Sequence, residues 1–79
     1  MATPIPFHKR VAAELRSEMA IQQKSMTELI EVLGLVDRKA AKLRYDGAKP
    51  MTLAEVDALA AWLEVDLERL LLGRVAVAA

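Results

Sequence analysis

Apolar residues recur along this chain at helical spacing almost from end to end, and the spacing is interrupted at only a few points. Phe7, Val11, Leu15 and Met19 return every four residues and predict a first helix over about residues 6–22 that buries this stripe. Met26, Leu29, Ile30 and Leu33 follow the i, i+3, i+4, i+7 pattern of a short second helix. Val56, Leu59, Ala60 and Leu63 form the inner face of another, and Leu67 to Leu72 suits a last short one. No strand pattern, repeat or low-complexity segment competes with these helices.

The interruptions carry the start and stop signals. Ser25 with Glu28, and Thr52 with Glu55, are capping boxes, in which side chain and backbone satisfy each other's orphan donors. Gly34 and Gly47 stand where a helix needs a left-handed residue to end. Asp37 suits the N-cap of a helix between them, and Asp66 that of the last helix, stopped by Gly73. Pro50 makes Ala48–Pro50 a loop. The expected fold is all-α, with five helices. Two of them, joined by a tight turn at Gly34, make a helix-turn-helix, whose second helix is the one offered to a DNA major groove.

Seventy-nine residues suit one domain with a thin core, ordered over about residues 6–73, with residues 74–79 as a flexible tail. The alternation of Val75, Ala76 and Val77 also admits an added strand across a dimer. There is no cysteine and a single histidine, so neither a disulfide nor a metal site is expected. No cofactor or small-molecule ligand is expected either. The run Ala58–Leu63 is too short to span a bilayer, and residues 1–7 lack the features of a signal peptide, so a soluble cytoplasmic protein is expected. The acidic residues Glu55, Asp57, Glu64, Asp66 and Glu68 read as a solvated face with no nucleophile or metal ligand to serve, so an enzyme is not expected. Net charge is zero, but it is segregated. Residues 1–50 hold nine Lys/Arg against six Asp/Glu (+3), and residues 51–79 two against five (−3). The field at a contact surface matters more than the sum.

The ordered set Ser25-x-x-Glu28-Leu29, Leu33-Gly34, Gly47-x-x-Pro50, Thr52-Leu53-x-Glu55 and Ala60-Ala61-Trp62-Leu63-Glu64-Val65 resembles the Cro/CI-type helix-turn-helix family. This is the lambda-repressor-like fold of many phage repressors and bacterial regulators, and the match spans about residues 9–72. The resemblance implies sequence-specific binding of double-stranded DNA by the helix after Gly34, by a homodimer on a pseudo-palindromic operator, in a bacterial or phage-infected cell at the nucleoid. A protein-interaction module on the same fold, antitoxin-like or anti-repressor, is the alternative. Relative to the family, Ile30 stands where a small residue is usual, Met26 replaces a polar residue, and the Gly34–Gly47 interval is one residue longer.

That extra residue leaves two rotational phases for helix three. With the residue in the turn, Asp37 caps, Ala41 and Tyr45 face inward, and Arg38, Lys39 and Lys42 face out. With it at the helix end, Val36, Ala40 and Leu43 form the inner stripe, while Arg38, Ala41, Lys42 and Tyr45 face out. Burying a leucine is worth about 1.5–3 kcal/mol against about 1 for a cap, which favours the second phase. Arg38 and Lys42 point outward in both. The expected base-reading set is accordingly Arg38, Lys39, Ala41, Lys42 and Tyr45. Ser25, Arg44 and Lys49 are expected at phosphates, since Arg and Lys suit guanine O6/N7 and phosphate oxygens. Leu71 and Leu72 are expected in a dimer interface, because the leucines of helix five exceed what one core contact uses.

Overall fold

The computed structural model describes residues 6–77, with side chains described from Pro6 to Leu72. Five helices follow in order: α1 (Phe7–Gln22), α2 (Met26–Leu33), α3 (Arg38–Asp46), α4 (Leu53–Leu63) and α5 (Leu67–Val77). There is no strand among the described residues. The fold is the expected all-α, five-helix bundle with a helix-turn-helix formed by α2 and α3.

Both capping boxes form. Ser25 Oγ accepts the Glu28 N–H at 3.2 Å while Glu28 Oε1 accepts the Ser25 N–H, and Thr52 and Glu55 do the same for α4. Gly34 (φ 67°) and Gly47 (φ 81°) adopt the left-handed conformation that ends α2 and α3. Two other helix ends are left-handed without glycine, at Gln23 and Glu64, both with φ 56°.

The core is a leucine cluster. Leu15 from α1, Leu29 from α2, Leu59 and Leu63 from α4, and Leu70 from α5 are fully buried, each worth about 1.5–3 kcal/mol. Val11, Met19, Val56 and Ala60 complete it. The inner face anticipated for α4 is therefore the observed one. α1 is the central element, packing against α3, α4 and α5, while α2 rests on α3 and α4.

Two expectations fail here. Phe7 leaves the α1 stripe and is 53% exposed at the helix start, where it lines a shallow apolar groove with Met51, Leu53 and Leu71. The last helix does not stop at Gly73 but continues to Val77, so Val75–Val77 is helical rather than a strand. Glycine costs a helix interior about 1 kcal/mol without forbidding it. The flexibility expected for the tail concerns, at residues 78–79, positions outside the described residues.

Glu18, on α1, is 97% shielded, being only 3% exposed, and is tied to the last helix. Its Oε2 accepts from Arg69 Nη2 of α5 at 2.6 Å, and Oε1 from Gln22 Nε2 at 3.4 Å. Gln22 Nε2 also donates to the Leu63 carbonyl at 2.7 Å, where α4 ends. No described helix is long and apolar enough to cross a membrane.

Candidate nucleic-acid interface

The orientation of α3 follows from its first residues. Asp37 is extended (φ −104°, ψ 122°), and its Oδ1 accepts the Lys39 N–H at 2.9 Å. The additional residue of the Gly34–Gly47 interval thus lies in the turn, and Asp37 is the cap. Ala41 is fully buried, and Tyr45 is half-buried against the core. Val36 is wholly exposed and Leu43 is 37% exposed. This is the first phase, not the second that leucine burial favoured. The core is already filled by leucines from the other four helices, so α3 gains more from close approach through a small residue than from inserting a large one.

The phase corrects three expected contacts. Ala41, expected to read a base, has no exposed surface. Tyr45, expected to face out, lies on the inner side. Its carbonyl accepts from Arg16 Nη1 at 2.7 Å, and its ring is flanked by the Arg16 guanidinium at 6.0 Å and Lys42 Nζ at 5.8 Å. Arg44, expected at a phosphate, is engaged inside the protein. Its Nε donates to Glu55 Oε2 at 2.9 Å and Nη1 to the Ala40 carbonyl at 2.9 Å, with the ion pair's side chains only 12% and 15% exposed. Glu55 is consequently not part of a solvated acidic face.

The remaining cations of α3 do face solvent. The side chains of Arg38 and Lys39 are exposed and make no hydrogen bond or ion pair among the described residues, and the same holds for the side chain of Lys49 in the loop before α4. Lys42 is exposed and pairs with Asp46 at 3.2 Å, one turn on. On the wheel of α3, Lys39 and Leu43 share one row and Lys42 and Asp46 the next. Asp46 and Leu43 are the members of this face that sequence reasoning left out. The Lys42–Asp46 spacing was a visible signal; the exposure of Leu43 was not, since it depends on the phase. Ser25 is exposed at the start of α2, with its hydroxyl 3.2 Å from Glu28 Oε1. Leu71 is half-buried against the core and Leu72 exposed, both on α5, which makes no contact with α3 among the described residues.

The fold is shared with the crystal structure of a hypothetical transcription factor, NHTF, from Neisseria, at a TM-score of 0.76 and 22% sequence identity, covering 99% of this chain and 93% of that one. At that identity the likeness establishes the arrangement of helices. No protein-family model and no curated protein matches the chain.

Proposed function

We propose that this protein is a sequence-specific DNA-binding transcriptional regulator of Cro/CI type, which docks α3 in the major groove. The observation that carries this is the division of labour on α3. Its inner face is spent on packing by Ala41, Tyr45 and Arg44, while Arg38, Lys39 and Lys42 stand on the outer face. Arg38, Lys39, Lys42 and Lys49 outnumber the acidic groups exposed beside them, Asp37 and Asp46, so the field of this face is positive despite zero net charge. Arg38 and Lys39 open the helix, where a recognition helix meets base edges. Lys49, and Ser25 at the start of α2, both exposed, are the phosphate contacts of this reading. The description of the Neisseria structure as a hypothetical transcription factor supports the same direction. Two protomers joined through Leu71 and Leu72 bind the two halves of a pseudo-palindromic operator.

Selection of bound duplexes from a random DNA pool tests this, together with a salt titration of the selected site. A common enriched motif is expected, with log K falling against log[salt] at a slope of about −3 or steeper for three or more phosphate contacts. No enrichment and a flat salt response overturn it. The second function considered, a protein-interaction module, is favoured by one observation. The large apolar side chains of Phe7, Leu53 and Leu72 are exposed outside α3. A flat salt response with retained binding to a protein partner is its signature.

A further inference from the structure

Leu43 is the large aliphatic residue of α3 that packing leaves partly uncovered, at 37% exposure. It shares its row on the helix with Lys39, one turn earlier, and that lysine lies between it and the Lys42–Asp46 pair. Helical side chains lean toward the N-terminus, so its isobutyl group covers the surface beside Lys39 rather than the end of the helix. Its backbone is fixed, because the Leu43 carbonyl accepts the N–H groups of both Ala48 and Lys49, at 2.9 and 3.2 Å. The backbone that carries this side chain is thereby fixed beside Lys39. Arg38 and Lys39 have no counter-ion among the described residues, and Asp46 neutralises only Lys42.

That setting selects the occupant. A second copy of this face would bring uncompensated lysines and arginines together, so charge disfavours self-association here. A polyanion with an apolar feature fits. The base edges of the major groove present one such feature, the C5 methyl group of thymine. We infer that Leu43 packs on a thymine methyl, which makes it a specificity-determining residue and places a thymine beside the base or phosphate met by Lys39. The inference rests on the docking of α3 in the major groove proposed above, and it adds a base identity to it.

The test uses the full chain and its best duplex from the random-pool selection. Each thymine of the site is replaced singly by deoxyuridine, which removes the methyl and leaves every hydrogen-bonding group in place. One replacement per half-site is expected to weaken wild-type binding about fourfold. That equals about 0.8 kcal/mol at 1.4 kcal/mol per tenfold, the worth of burying one methyl-sized group. The same replacement is expected to be neutral for Leu43→Ala, and for Leu43→Gln, which keeps a side chain of similar length on the helix. If the selected duplex binds tightly yet no thymine couples to Leu43 in these cycles, the inference is overturned while DNA binding stands. If the pool yields no preferred sequence, the docking itself fails and the inference with it. Leu43 variants that leave DNA affinity unchanged but alter sedimentation of the free protein would reassign this face to self-association.

Discussion

At Glu55 one carboxylate closes two arrangements: Oε1 accepts the Thr52 N–H that opens α4, and Oε2 accepts from Arg44 of α3. Glu28 plays the first role alone, in the box that opens α2. Alanine at Glu28 is therefore expected to cost about 0.5–1.5 kcal/mol in urea unfolding, the scale of a cap. Alanine at Glu55 also strands a largely buried guanidinium, and is expected to cost about 2–4 kcal/mol. Equal losses would show that Arg44 finds another partner. On the outer face the residue-scale expectation concerns affinity instead. Arg38→Ala lowers affinity for the selected operator by about 1–3 kcal/mol and relaxes one base position, while Lys49→Ala weakens all duplexes alike and flattens the salt slope by about one. Competition binding against scrambled duplex at several salt concentrations separates the two. Unchanged affinity and site preference in a folded Arg38→Ala variant would remove Arg38 from the interface.

At the scale of elements, the two glycine stops are alike in backbone and unlike in surroundings. A Cβ at Gly34 meets nothing within 4 Å, whereas at Gly47 it lies 3.3 Å from Ala12 Cβ and 3.4 Å from Lys9 Cα on α1. Gly34→Ala is expected to cost about 1–2 kcal/mol for the left-handed backbone alone. Gly47→Ala adds overpacking between α1 and α3, for about 2–4 kcal/mol in all, readable as a lower midpoint in thermal unfolding. A Gly47 variant no worse than the Gly34 variant would mean that α1 and α3 separate freely. These stops and the two capping boxes were legible because they are local: a few residues contain the whole interaction. The phase of α3 was not, because it depends on how much space four other helices leave. Leu43 weighed by itself argues for burial, but Ala41 and Tyr45 fill the available depth once Leu15, Leu29, Leu59 and Leu63 are in place. The left-handed ends at Gln23 and Glu64 escaped because backbone hydrogen bonds to the preceding turn close them, whatever the side chain. Gly73, by contrast, carried a stop signal that the helix overrides.

For the whole molecule, the described surface places cations on α3 and exposed leucines at the α5 end, with Leu72 at 48% exposure. If Leu71 and Leu72 join two protomers about a two-fold axis, the recognition helices stand about 34 Å apart, one DNA turn. Analytical ultracentrifugation is expected to show a homodimer, completed on a palindromic duplex where it is weak in solution. Leu72→Glu, at a position already half open to water, is expected to favour the monomer with little loss of fold. A wild-type monomer in both conditions, bound to one half-site, would rule the dimer out.

The Glu18–Arg69 pair also has a consequence during synthesis. Its two residues lie 51 positions apart, and at about 5–20 residues per second the ribosome takes roughly 3–10 seconds to supply the second after the first. Helix formation itself takes about a microsecond, so the segment of α1 waits seconds for the cation that pairs with its carboxylate and for the packing that stabilises it. Leu70, the last fully buried leucine, arrives at the same moment. The α2–α3 unit is thus no autonomous fragment, and a message cut short before codon 69 is expected to yield an unfolded chain sensitive to proteases. A product ending at residue 66 that shows cooperative thermal unfolding would contradict this. A late frameshift then removes the protein altogether instead of leaving a DNA-binding stub that competes with the intact one.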